Sequence, residues 1–180
     1  FSQFYRVIVP DRRGTGRSDE PPGPWTAADL AADLKGLMDD LGLEKAIVGG
    51  ASLGGVVSAQ FGADYPERSL ALIVGHTTPY LWSLGEAWLN EQIETARSGK
   101  RAVVNQPRSY EWEAEGPPTT DPAFLSSMPG QYIATLTAGL GGTPEGAARS
   151  IGVLSTWDQR PRYPELNRLD VPALVIVGGN

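Results

Sequence analysis

Lys45-Ala46-Ile47-Val48-Gly49-Gly50-Ala51-Ser52-Leu53-Gly54-Gly55 is the stretch on which the reading of this chain turns. An apolar run leads into a turn of small residues with a serine at its apex, and a helix-forming segment follows. Gly50-x-Ser52-x-Gly54 has the spacing of a nucleophile elbow, a strand-to-helix turn whose strained backbone lifts the serine hydroxyl above the end of a parallel sheet. A side chain at position 50 or 54 is expected to press the entering strand against the departing helix, and glycine removes that obstacle. Glycine and serine are common in loops, so the sequence on either side has to support the pattern.

It does so in both directions. Upstream, Thr26 is placed to cap a helix, with Asp29 in the first turn favourable for the macrodipole. Leu30, Leu34, Leu37, Met38 and Leu41 recur at helical spacing, and Gly42 supplies a left-handed stop. Asp33, Asp39 and Asp40 fall on the opposite, solvated side. Downstream, Val56, Val57, Ala59, Gln60, Phe61 and Ala63 continue as a helix halted at Tyr65-Pro66. Leu70-Ala71-Leu72-Ile73-Val74 reads as the next strand, and the short run Ala46-Ile47-Val48-Gly49 as a central one.

Further out, Phe4-Tyr5-Arg6-Val7-Ile8-Val9 is β-branched and aromatic and ends at Pro10, a strand pattern. Asp11-Arg12-Arg13-Gly14-Thr15-Gly16-Arg17-Ser18-Asp19 then forms a polar loop. It is not a dinucleotide fingerprint, because Asp19 stands where the third glycine belongs, nor a P-loop, because the Lys-Ser/Thr pair is absent. The simpler expectation is a turn tied down by Asp11 and the arginines. Strands separated by helices in this order predict an α/β fold with a right-handed, doubly wound, mostly parallel sheet.

From residue 79 to about 163 the strand signal disappears. Trp82, Trp88, Tyr110, Trp112 and Tyr132 are scattered among helical pieces, expected over 82–96, 131–140 and 144–156, and irregular Pro-rich loops. The expectation is a core of residues 1–78 and 164–180 carrying an all-helical cap inserted over 79–163. Glu111, Glu113 and Glu115 lie in that insertion, where simple solvation competes with an acid/base pair. Pro172-Ala173-Leu174-Val175-Ile176-Val177-Gly178 restores the signature of a buried strand.

Bulk properties bound the function. The 180 residues, 41% hydrophobic, suit one domain with a sizeable core, and a net charge of -6 gives no reason to expect nucleic acid or an anionic membrane surface. With no cysteine, disulfides and thiolate chemistry are excluded and a reducing cytoplasm is the expected compartment; a single histidine leaves no nitrogen- or sulfur-ligated metal site. A start at Phe1 close to one strand and a stop at Asn180 just past another suggest a segment of a longer protein.

These stretches together resemble the α/β-hydrolase fold family. Asp11-x-Arg13-Gly14-x-Gly16-x-Ser18 after a strand is similar to that family's loop before its first long helix. The elbow, Tyr65-Pro66-Glu67-Arg68 and Leu169-Asp170-Val171-Pro172-Ala173-Leu174-Val175-Ile176-Val177-Gly178 match further stretches in order. The resemblance implies a capped serine hydrolase acting on an ester, lactone or related acyl bond of a small molecule, with no cofactor. Ser52 would be the nucleophile, Gly50 and Gly54 the elbow glycines, and the backbone N–H of Leu53 an oxyanion donor. A serine at the elbow sets the chain apart from the dehalogenase and epoxide hydrolase branches, which attack through aspartate.

Family order puts the acid just past the strand ending at Gly178 and the histidine later, with the second oxyanion donor upstream of Phe1. All three are therefore expected outside this chain, and the segment alone is expected to be inactive. His76 follows the strand after the elbow; it is a candidate pocket-lining residue or a hydrogen-bonded loop residue. Asp158 and Asp170 are expected to be structural. A non-catalytic small-molecule-binding protein on the same scaffold is the alternative reading.

Overall fold

The computed structural model describes residues 3–80, 85–98 and 143–177. Three parallel strands form one sheet in the order β1 (Ala46–Ala51), β2 (Ser69–Gly75), β3 (Ala173–Ile176). Ile47 pairs with Ala71 and Ala51 with Gly75, while Leu72 pairs with Ala173 and Gly75 with Ile176, so β1 and β2 end level with each other. The helices are α1 (Ala27–Asp40), α2 (Leu53–Asp64), α3 (Gly85–Arg97), α4 (Pro144–Gly152) and the single turn α5 (Tyr163–Leu166).

The start of α1 is fixed by a reciprocal capping box. Thr26 N–H donates to the Asp29 carboxylate at 2.8 Å, and Asp29 N–H donates to Thr26 Oγ1 at 3.2 Å. Its end is set by Gly42 at φ 64°, whose N–H reaches the Asp39 carbonyl at 3.0 Å. Both ends fall where the spacing predicted. The aspartates on the outer face are not merely solvated: Asp33 pairs with Arg13, and Asp39 with Lys35 and Arg68. Arg68 also donates to the Glu44 carbonyl at 2.7 Å and the Leu43 carbonyl at 2.9 Å, which locks the approach to β1.

The core is built on α1 and α2. Ala31, Met38, Val48, Phe61 and Leu72 join both helices to the sheet; Trp25, Ala27, Leu30, Val56, Val153 and Trp157 join them to the segment following α4. Val56 and Phe61 are fully enclosed, each such burial stabilising by about 1.5–3 kcal/mol. The pieces expected over 82–96 and 144–156 are helical where described, as α3 and as α4 followed by a 3-10 turn, Val153–Thr156. The helix expected over 131–140, the glutamates at 111–115 and Trp112 lie outside the described residues.

Three expectations change. Residues 4–9 form no strand: Phe4, Tyr5, Val7 and Val9 are exposed, and no described segment lies alongside to complete a ladder. An apolar β-branched run becomes a strand only when a neighbour takes up its backbone N–H and C=O groups. β1, expected at the centre, is an edge strand among the described residues, with Ile47 exposed; β2 is the central one. β3 pairs as expected but is exposed along its length, because α2 packs on β1 and β2 and does not extend over β3.

Candidate active site

The turn from β1 into α2 places Ser52 at φ 55°, ψ -121°, a region that side chains other than glycine rarely enter. Ser52 is held there from both sides: its N–H donates to the Gly75 carbonyl at 3.0 Å, and its carbonyl accepts from Val56 N–H at 3.1 Å. The bond from Val56 is the first turn of α2, so the N–H of Leu53 finds no acceptor within its own helix and carries part of the positive end of the helix dipole.

The two elbow glycines turn out to have different duties. A Cβ at Gly50 would stand 2.5 Å from the carbonyl carbon of Gly54 and 2.6 Å from its oxygen, both backbone atoms that cannot step aside. A Cβ at Gly54 would meet nothing within 4 Å. The steric requirement expected at both positions thus rests on Gly50 alone, with Gly54 as the surface it passes. Gly55, not singled out from the sequence, carries a second requirement: its Cβ would lie 2.6 Å from the Gly75 carbonyl oxygen and 2.9 Å from Thr77. The sequence signal was present in the Gly54-Gly55 pair; its meaning depends on β2 lying alongside.

His76 stands one residue past the pair Ala51 and Gly75, as Ser52 does, so the two project from the same end of adjacent strands. At φ 46° it is, with Ser52, one of two non-glycine residues with positive φ among those described. Its N–H donates to the Ile176 carbonyl at 2.8 Å, and the residue is exposed. Asp158 is engaged elsewhere, in a forked pair with Arg160 at 2.7–3.1 Å that holds its carboxyl below the usual carboxylate range. Asp170 is exposed. Among the described residues, no three His, Cys, Asp or Glu side chains cluster as a metal site would need.

A cleft of ≈ 320 Å³ opens between the start of α1, α2 and residues 156–162, lined in part by Thr26, Gln60, Trp157 and Gln159. Gln60 is eight positions along α2 from Ser52, about 12 Å at 1.5 Å per residue, so this cleft is separate from the elbow. Its polar wall is a relay: Arg162 donates to Asp64 at 2.6 Å, Gln60 to Asp64 at 2.5 Å, and Gln159 to Gln60 at 2.8 Å.

A family model described as alpha/beta hydrolase fold matches residues 2–180. The chain belongs to the alpha/beta hydrolase fold family. A 3-oxoadipate enol-lactonase of Acinetobacter baylyi is 30% identical over 99% of the chain and 62% of its own length. A carbamate hydrolase of Caulobacter segnis, described as putative, is 43% identical over 41% of the chain and 28% of its own length. Among solved structures, a thermophilic esterase from Thermogutta terrifontis superposes with a TM-score of 0.69 at 29% identity, covering 98% of this chain and 62% of that one. The chain thus spans about three fifths of the length of the lactonase and the esterase. No helix among the described residues is long and apolar enough to cross a membrane.

Proposed function

We propose that the protein is a serine hydrolase that cleaves an ester, lactone or related acyl bond of a small molecule through an acyl-Ser52 intermediate. The observation that carries this reading is the backbone of Ser52, strained at φ 55° between the end of β1 and the first turn of α2. Such strain persists only where the surroundings impose it, and it concentrates at functional positions. The lactonase and esterase relatives support the choice of an acyl bond.

In the proposed reaction, Ser52 Oγ attacks the substrate carbonyl carbon while a base takes its proton. The tetrahedral intermediate places its oxyanion near the N–H of Leu53, where the α2 dipole adds to the stabilisation. Collapse breaks the C–O bond as the base returns its proton to the departing oxygen, freeing the alcohol of an ester or opening a lactone to a hydroxyacyl group on Ser52, and water then releases the acyl group as the acid. We assign the base and its orienting carboxylate to the part of the relatives' length that residues 1–180 do not span, and His76 to the wall of the acyl pocket. The helical stretch within 79–163 is proposed as the cap over that pocket.

A fluorophosphonate probe tests the reading on the full-length protein. We expect labelling at Ser52 and its loss in Ser52→Ala. A folded full-length protein that resists labelling would overturn the hydrolase reading in favour of a binding protein on this scaffold.

A further inference from the structure

Two adjacent arginines leave the loop after residue 10, and their surroundings differ. Arg13 forks onto Asp33 with two contacts of 2.5 Å, reaches the Asp29 carbonyl at 3.4 Å and lies 5.9 Å from the Trp25 ring centre. It is the tie that the sequence predicted. Arg12 makes no such tie: its Nη1 is buried without a hydrogen-bond partner, and no carboxylate among the described residues pairs with it. Burial disfavours its charged form, and no neighbour among the described residues offsets that effect. Guanidinium stays protonated in proteins, so a half-buried one with an enclosed, unpartnered nitrogen calls for an anion.

The backbone that carries Arg12 is fixed. Its carbonyl accepts from Thr15 N–H at 2.9 Å and from Thr15 Oγ1 at 2.7 Å. Two residues on, Gly14 closes against the Trp25 ring, where an added Cβ would stand 2.9 Å from Cζ3. Trp25 belongs to the same cluster as Val56, against which Leu53 packs. One packed cluster, entered by Trp25 from the loop side and by Leu53 from the elbow side, therefore joins the Arg12 loop to the first turn of the helix that Ser52 opens.

We propose that Arg12 determines specificity, receiving a carboxylate carried by the substrate whose acyl bond Ser52 attacks. The proposal rests on the serine hydrolase reading. A planar fork matches a carboxylate with two parallel hydrogen bonds. The chain as a whole carries a charge of -6, so an anionic substrate would be held by this local donor rather than drawn in by the overall field.

The test uses the full-length protein and two p-nitrophenyl esters of matched length, one ending in a free carboxylate and one in its methyl ester. Arg12→Gln is expected to lower kcat/KM for the carboxylate ester by about 10- to 100-fold, the range for a charged hydrogen bond. The methyl ester should change by less than about twofold, and Arg12→Lys should recover part of the loss. An equal loss on both esters, or no wild-type preference for the carboxylate, overturns the proposal. Binding separates this from the chemistry: adipate should raise the melting temperature of Ser52→Ala protein but not of Ser52→Ala/Arg12→Gln, whatever the outcome of fluorophosphonate labelling. A rise of the same size with inorganic phosphate would show an unselective anion site and overturn the carboxylate assignment.

Discussion

The elbow at residues 50–55 and the arginine loop at residues 11–19 are both glycine-bearing turns that follow an apolar run, but different kinds of atoms hold them. In the elbow, the space a Cβ would take at Gly50 or Gly55 is filled by backbone of Gly54 and Gly75. In the loop, the corresponding space at Gly14 is filled by the Trp25 ring, and at Gly16 by the Asp11 carboxylate, 2.6 Å away at Oδ1. Backbone in a packed strand and helix cannot yield, whereas a side chain can turn aside. The first turn fixes where a hydroxyl stands; the second is held mainly by side chains, with the Gly146 Cα at 3.2 Å the one backbone atom near a Cβ at Gly14.

Alanine substitution tests that difference directly. Gly50→Ala is expected to cost more than about 3 kcal/mol and to leave little soluble folded protein, with Gly54→Ala far milder because its Cβ direction is open. Urea denaturation of the two variants would break the comparison if their midpoints fell together. Gly14→Ala should cost about 2 kcal/mol: a left-handed backbone at φ 68° strains any side chain by about 1–2 kcal/mol, and Trp25 must shift. Its melting temperature should fall, yet the protein should still be labelled at Ser52.

The smallest expected effect is at the capping box, where Thr26→Ala should cost about 1 kcal/mol. This contribution depends on pH. The Thr26 hydroxyl, followed by the Thr26 N–H and Arg13, holds the Asp29 carboxyl below its ordinary value. A carboxyl lowered in the folded state stabilises fully above the unfolded pKa of about 3.9 and loses that contribution as pH falls through the folded value. The gap in melting temperature between wild type and Asp29→Asn should therefore be constant near pH 7 and close below about pH 4. A gap that widened in acid would contradict the assignment.

What the sequence made legible was whatever is encoded over short distances. The caps of α1 at Thr26 and Gly42, the halt of α2 at Tyr65-Pro66 and the position of Ser52 all depend on residues within a few positions of one another. Residues 4–9 show the limit: their composition meets every local criterion for a strand, but a ladder requires a neighbour that local sequence does not name. The same limit explains the glycines. Spacing identifies Gly50, Gly54 and Gly55 but does not reveal which missing Cβ faces another segment's backbone. Arg12 and Arg13 were indistinguishable as letters, and only the approach of Asp33, twenty positions away, separates them.

The relay from Arg162 through Asp64 and Gln60 to Gln159 bears on the order in which the chain can fold. Gln60 and Asp64 receive these partners from 99 and 98 positions later. Closing so long a loop has an entropic cost that grows with the logarithm of its length, and contacts of such separation slow folding. A growing chain can bury Phe61 against α1 as soon as both helices have emerged. It cannot complete the polar side of α2 until residue 162 has been made, 98 positions after Asp64, so over that stretch of synthesis that face depends on water, or on a chaperone, for its hydrogen bonds.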